Sequence, residues 1–384
     1  MPRLAGAARL ASIKPSGQEP WQLGYTTLPG DQAPGRIYQV ARSALAAGTA
    51  TTTVVYRVPV SGAGAPYDLS NGQTARWAQF EAPTDAAAIF PPTQVPDGNP
   101  ATGTWPSSYE RATVTYLDAN ARQVNLAEPG GHLSVTWYDH WGNTVRTLTA
   151  GNRARALNAS SSDDAAAEAL FARNHSTLNI HTADGQRLIT TLEPEHEVML
   201  PTGETTRGRK AITYTYDEGA PAAEEPYNLI TRQKIAVRVW DSNGVESETD
   251  VRTTSIVYDW GLRQPIEATA DPGALAHTTR TIFDPATELI TSTTDPAGGT
   301  STTTPATQKT IYYRAGSGSG YSECDSKPEW ANLPCRTQPG GQPPTPTGPE
   351  LPVTVNTYDI LGQPRVVSSP GFDGELVSWF SGVW

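Results

Sequence analysis

Apolar and β-branched residues alternate with polar ones in short runs along this chain, and the runs end on turn formers. Residues 134–151, SVTWYDHWGNTVRTLTAG, show the pattern in full. A run of Val, Thr and aromatic residues ends at Tyr138. Asp139 then opens a turn in which Gly142 and Asn143 are placed to take positive φ. Residues 144–149 run back, and Gly151 closes the unit. Period-two alternation interrupted by Asp, Gly and Asn at one place predicts a β-hairpin. The phrase recurs with variation, and recurrence defines architecture before any single residue does.

The repeats begin at about Arg111. The first unit, residues 114–131, carries Tyr116 and Asp118 with Leu117 inserted between them. Residues 179–194 keep an Asp184-Gly185 turn without a preceding Tyr, and residues 211–221 restore Tyr216-Asp217. Residues 235–247 replace Tyr with Trp240 and keep Asp241, Asn243 and Gly244. Residues 255–273 carry Tyr258, Asp259 and Gly261. Residues 279–299 have Phe283 before Asp284, and residues 355–371 carry Tyr358, Asp359 and Gly362. A second turn follows each good unit, as at Asp271-Pro272-Gly273, Asp295-Pro296 and Pro370-Gly371. Strand faces are less clean than the turns, which favours a curved shell over a flat two-sheet sandwich.

The fold class expected is therefore all-β: a repetitive, curved antiparallel sheet with one short helical insertion at about 161–174. There Ser161 or Ser162 is the expected N-cap, followed by Asp163, Asp164 and AAAEALFAR. Residues 1–20 read as flexible, and 21–110 as an irregular β-containing segment with strands at 51–60 and 75–80 and a Pro-rich loop at 91–106. The repeat sheet occupies 111–314. Residues 315–352, dense in Gly and Pro, read as an irregular excursion, with the final repeat at 353–384. Tyr67-Asp68 has no strand before it and reads as coincidence.

Composition supports the β reading. Charged residues make up only 17%, against 10 Trp and 15 Tyr, which is the opposite of a disordered chain. A net charge of −11 without any basic run disfavours nucleic acid as a partner. No apolar stretch reaches the roughly 20 residues that a membrane span needs. The N-terminus lacks an apolar h-region, so no signal peptide is expected in this chain. Two cysteines are too few for a disulfide scaffold and lack metal-site spacing.

Candidate chemistry is sparse. Repeated aspartates could pair for glycoside hydrolysis, but a catalytic pair is singular, and regular placement favours turn-capping. Glu193, Glu195, His196 and Glu197 make an acidic cluster in which a metal is conceivable; Pro194 interrupts it, and a solvated face is the plainer reading. His132, His140, His175, His181 and His277 carry no spacing signal. Gly318 stands where a nucleophile elbow needs Ser, and neither cysteine has a His near it in sequence. Exposed Trp and Tyr could stack on surface carbohydrate, while their periodicity favours packing. No catalytic residue, cofactor site or metal site is assigned, and the chain is not expected to be an enzyme.

These units resemble the YD-repeat, or Rhs, family: bacterial Rhs toxins, cocoon components of insecticidal toxin complexes, and animal teneurins. The resemblance rests on Tyr138-Asp139…Gly142, Tyr216-Asp217…Gly219, Tyr258-Asp259…Gly261…Asp271-Pro272-Gly273 and Tyr358-Asp359…Gly362, and covers roughly residues 111–384. Residues 324–335, CDSKPEWANLPC, resemble an insertion seen in actinobacterial members. The resemblance implies a sheet that spirals into a hollow shell around a toxic C-terminal domain of the same polypeptide, secreted or at the cell surface. Asp295-Pro296-Ala297-Gly298 matches a family self-cleavage motif, but its place at an ordinary second turn makes it structural. No core motif or toxin follows Trp384, so the chain is expected to be a shell fragment whose partner is the remainder of that polypeptide. For an exported family Cys324 and Cys335 would be bridged, or else be two idle thiols.

Overall fold

The computed structural model describes residues 9–31, 35–44, 48–98, 104–158, 164–200, 202–223, 225–241, 244–342, 351–370 and 376–379. The described residues contain 23 strands and three α-helices, and every pairing given below is antiparallel, so the protein is all-β. The chain divides into two compact units, Met1–Lys210 with Arg238–Ser247, and Ala211–Val237 with Glu248–Trp384.

The first unit runs β1 (Ser12–Ile13), β2 (Trp21–Thr26), β3 (Arg36–Ser43), β4 (Thr49–Tyr56), α1 (Asn71–Ala75), β5 (Asp85–Phe90), β6 (Thr113–Leu117), β7 (Gln123–Glu128), β8 (His132–Tyr138) and β9 (Thr144–Leu148). It continues with α2 (Ala150–Leu157), α3 (Ala165–Asn174), β10 (Thr177–His181), β11 (Leu188–Leu192) and β12 (His196–Met199). From β1 to β11 each strand pairs with the next in the chain, and β10 returns to β9 after the helices. β12 pairs with the first residues of β13 (Thr205–Tyr216).

The helices form because each start is capped. Thr149 accepts from the Asn152 N–H, and Asp164 from the Ala166 N–H, in front of Ala-, Arg- and Leu-rich sequence. Ala156 of α2 and Ala172 of α3 pack into the same apolar cluster as Val55, Leu69, Trp77, Phe90, Tyr116, Leu133 and Leu148. Several polar side chains inside are paired. Gln79 and Asn125 exchange hydrogen bonds at 2.8 and 2.9 Å, and Gln79 also accepts from the Trp77 indole at 2.9 Å. The buried Arg146 guanidinium lies 3.9 Å from the Trp137 ring and donates to Ser176; burial pulls its pKa down to about 10. Glu168, fully buried, accepts from Arg76 at 2.7 and 2.6 Å.

β13, β14 (Ile230–Trp240) and β15 (Glu246–Asp259) contribute residues to both units. The second unit continues with β16 (Gln264–Ala270), β17 (His277–Phe283), β18 (Ile290–Thr294), β19 (Thr307–Tyr312), β20 (Pro334–Pro339), β21 (Thr354–Tyr358), β22 (Pro364–Pro370) and β23 (Leu376–Trp379). From β15 to β23 each pairs with the next. Its apolar cluster is small: Tyr313, Cys324, Cys335 and Tyr358, joined by Tyr321, Trp330 and Leu333.

Several expectations are corrected. The helical insertion is two helices rather than one. Gly151, expected to close the hairpin unit, lies inside α2, because Thr149 caps a helix that begins at Ala150. Asp164, expected in the first turn, is itself the N-cap of α3; Ser161, Ser162 and Asp163 lie outside the described residues. Residues 75–80 are the end of α1 and a turn rather than a strand. The segment 21–110 is more regular than its composition suggests, holding four strands that pair in chain order. Ile13 and Ser12, expected to be flexible, pair with Trp21 and Gln22. Within 315–352, Pro334–Pro339 is a sheet strand between β19 and β21, its prolines confined to the two ends. Residues 343–350, where Pro is densest, lie outside the described residues.

Candidate functional site

One constellation repeats through both units, and it has three parts. The first is a β-bulge. At Tyr116/Leu117, Trp137/Tyr138, Val257/Tyr258, Ile282/Phe283, Ile311/Tyr312 and Thr357/Tyr358, two consecutive outgoing residues pair with returning residues that are two apart. The extra residue always sits on the returning strand: Val124, Val145, Ile266, Thr291, Cys335 and Arg365 in turn. The same slip occurs at Gly24/Tyr25 and Ile180/His181, so the pattern starts well before Arg111. A bulge adds a local bend and twist, and here each hairpin bends at the same place.

The second part is the aspartate turn. The Trp141 and Asn143 N–H groups donate to Asp139 Oδ1 at 2.9 and 2.8 Å, and the Gly142 N–H donates to the Asp139 carbonyl at 3.2 Å. Asp118 and Asp359 hold the same bonds, and Asp241 keeps the one from Val245 at 2.8 Å. Gly142, Gly244 and Gly362 take φ of 89°, 77° and 76°, the left-handed conformation that closes this turn; in the first unit Ala121 fills that place at φ 60°. The Asp139 carboxyl sits below its usual pKa range: partial desolvation pushes it up, but the donors from Asn143, Trp141 and Gly142 outweigh that. In Asp284 the N–H donors of Thr287 and Ala286 lead the downward shift.

The third part is a tyrosine strut. The hydroxyl of the tyrosine before each turn donates to a backbone carbonyl of the preceding hairpin: Tyr138 to Gln123 at 3.0 Å, Tyr258 to Ile230 at 3.0 Å, Tyr312 to Ile290 at 2.8 Å and Tyr358 to Pro334 at 2.7 Å. Gln123, Ile290 and Pro334 are the residues that pair with the previous hairpin's last outgoing position, Leu117, Phe283 and Tyr312. Tyr56 reaches Ile37 in the same way at 2.8 Å. Arg122 and Arg36, which precede two of these acceptors, lie 5.0 and 5.4 Å from the rings of Tyr138 and Tyr56. In the unit without tyrosine, Asn179 Nδ2 caps the Thr144 carbonyl at 3.1 Å.

This geometry corrects the assignment of several repeat residues. Tyr138, Tyr216 and Tyr258 are half-buried rather than largely buried; in Tyr138 and Tyr258 the strut lies along the sheet and reaches a carbonyl at its surface. Leu117, not Tyr116, occupies the strut position of the first unit; Tyr116 is the residue before it, faces the other way and is fully buried. Asn143 does not take positive φ. Gly261 does not either: its N–H donates to Asp259, and Arg263 takes the left-handed place at φ 58°. Asp217 itself has φ 59° and closes a longer loop through the Asn228 and Leu229 N–H groups. Asn243 lies outside the described residues.

Loss of one strut is measurable. Tyr258→Phe keeps the ring and is expected to lower stability by about 1 kcal/mol, while Phe283→Tyr supplies a hydroxyl that the repeat lacks and raises it by up to about 1 kcal/mol. Denaturant midpoints check both, and equal midpoints for Tyr258→Phe and the parent sequence would remove the strut from the account.

The remaining candidates resolve into structural pairs. Glu195 is buried against Arg207, Glu193 pairs with Lys210 at 2.9 Å, and His196 sits exposed beside the Pro194 carbonyl at 3.3 Å. Among the described residues no three His, Cys, Asp or Glu side chains are grouped for a metal, and no helix is long and apolar enough to cross a membrane. Asp295-Pro296-Ala297-Gly298 is a single 3₁₀ turn closed by the Gly298 N–H on the Asp295 carbonyl at 2.9 Å, with Gly298 buried against Thr294. Cys324 and Cys335 form a disulfide with Cα atoms 5.7 Å apart. An open groove of about 930 Å³ runs along residues 282–338, lined by Tyr312, Tyr321, Asn332, Gln338, Lys309 and several hydroxyls.

The fold and the constellation define an all-β repeat protein built of bulged hairpins. No protein-family model matches the chain, and no curated protein does. Among solved structures it is similar to the Photorhabdus luminescens Tc holotoxin pore, at 10% identity and a TM-score of 0.25, over 94% of this chain and 22% of that one. It is also similar to TcdB2–TccC3 without its hypervariable C-terminal region, at 12% identity and a TM-score of 0.25, over 92% of this chain and 18% of that one. The chain thus spans about a fifth of the length of these solved chains.

Proposed function

We propose that the chain is a structural segment of a YD-repeat shell of the Rhs type, shielding or delivering a toxin that belongs to the same complete polypeptide. The observation that carries this reading is the bulge, aspartate turn and tyrosine strut recurring at one place in successive hairpins, which makes the polar residues structural and periodic. The cystine suits a secreted or cell-surface setting. Protease digestion of the full-length gene product tests it: a C-terminal segment protected by the repeat region supports a shell, and uniform cleavage of that segment overturns it.

The protein is not an enzyme in this reading. The aspartates engage their own turns. A panel of glycosides and esters is expected to give no turnover; turnover lost on a single Asp→Asn change would overturn this. A second reading is favoured by the groove along residues 282–338, whose tyrosines, amides and hydroxyls suit a neutral surface carbohydrate. Glycan-array binding, lost on Tyr321→Ala, would support that alternative.

A further inference from the structure

The hairpin β19–β20 differs from all its neighbours. Tyr313 stands where the others have the turn aspartate, and its N–H and carbonyl close the hairpin on Leu333 and Asn332 at 2.9 and 3.0 Å. Residues 314–332 hang from that closure as an excursion, with only two short 3₁₀ turns of its own. The excursion is tied back by the disulfide. Cys335 is the bulged residue of β20, next to Pro334, whose carbonyl receives the Tyr358 hydroxyl at 2.7 Å. Tyr313 completes the link, donating its hydroxyl to the Asn356 carbonyl at 2.7 Å, and its ring meets Trp330 and Tyr358 edge-on. Both cysteines are fully buried inside this aromatic cluster.

We infer that the Cys324–Cys335 disulfide is a redox-gated clamp on the next hairpin: its reduction releases β21–β22 through the Tyr358–Pro334 bond and leaves the first unit folded. The cystine fixes the excursion, the excursion supplies Trp330, and its closure supplies Leu333; both pack around Tyr313 and Tyr358. Without the cross-link, a segment with little regular structure must be ordered by its contacts alone. The reductant is a small dithiol. One thiolate attacks a cystine sulfur, the mixed disulfide is resolved by the second thiol, and the dithiol leaves as its cyclic disulfide, with two electrons and two protons transferred to the protein thiols. Because both sulfurs are buried, attack waits on a local opening, so the clamp releases slowly in the folded protein.

Amide hydrogen exchange of the whole chain tests this, in the oxidised protein, after dithiothreitol, and in a Cys324→Ala/Cys335→Ala variant that mimics reduction without depending on reagent access. Exchange at residues 357–363 is expected to rise on the order of tenfold or more in the reduced and alanine forms, with residues 113–148 unchanged. In a Tyr358→Phe background the same change is expected to add little, since the bond that transmits it is already gone. Unchanged exchange at 357–363 in the alanine variant overturns the clamp, as does a rise of full size in the Tyr358→Phe background. An equal rise at 113–148 in the reduced and alanine forms overturns it as well, since the release would then not be confined to the next hairpin.

Discussion

Replacing Glu168 by alanine is expected to destabilise the first unit by about 3–5 kcal/mol, the largest effect of any single change considered. Its carboxylate is fully buried and takes two hydrogen bonds, at 2.7 and 2.6 Å, from one guanidinium. The pair as a whole gains little over apolar packing, but removing Glu168 alone takes two charge-assisted hydrogen bonds from Arg76 and leaves a cavity in a fully buried place. Arg76 would then lose the Glu168 carboxylate close to Arg153, whose guanidinium lies 4.2 Å from the Trp77 ring and whose pKa burial, then repulsion from Arg76, already lowers to about 10. A total stability of roughly 5–15 kcal/mol makes such a loss visible. Urea unfolding checks it through a fall in midpoint at unchanged slope. A loss below about 1 kcal/mol would mean that Arg76 finds water or another acceptor.

Asp118→Ala is expected to cost about 2–3 kcal/mol, because three hydrogen bonds converge on one carboxylate that is only 7% exposed. The same group gives a pH dependence of known sign. Desolvation pushes its pKa up, but donors from the Arg122 backbone and guanidinium and from the Asn120 N–H pull it lower still, so the folded value lies below the ordinary one. A depressed carboxylate stabilises fully above the ordinary aspartate range, and that contribution is lost as pH falls through the folded value. Asp139, Asp184 and Asp284 are shifted the same way, so the acid limb of the unfolding profile is shared among several turns. Asp118→Ala should flatten that limb while lowering the plateau. An acid limb identical to that of the parent protein would show that the Asp118 carboxylate is not held in this way.

The turns were legible because they depend on residue type. Asp139, Gly142 and Tyr138 announce themselves: a side chain that accepts two backbone N–H groups, a left-handed φ and a large ring each restrict the choice of residue. The bulge was not legible, because its extra residue is chemically ordinary. Val124, Val145, Ile266, Thr291 and Cys335 have nothing in common in sequence except their place. That slip is also why Tyr116 was matched to Tyr138: one residue of offset moves a side chain to the opposite face. α2 was hidden by Gly151 and Asn152, two poor helix formers placed where Thr149 could still cap. β20 was hidden by its terminal prolines, which are tolerated because the residues between them carry the pairing. The fold class needed only periodicity, whereas the strut needed the partner carbonyl, which lies a whole hairpin away.

The strut also has a direction. In Tyr25, Tyr56, Tyr138, Tyr258, Tyr312 and Tyr358 alike, the donor belongs to the later segment and the acceptor to an earlier one. A ribosome releases the acceptor first, so each new tyrosine emerges to find its carbonyl already in place, and the array can be laid down hairpin by hairpin as it is synthesised. Shortening is asymmetric for the same reason. Cutting back from the C-terminal side leaves every remaining one of these tyrosines with its acceptor, whereas a cut from the N-terminal side that falls between an acceptor and its tyrosine, as between Gln123 and Tyr138, orphans that tyrosine.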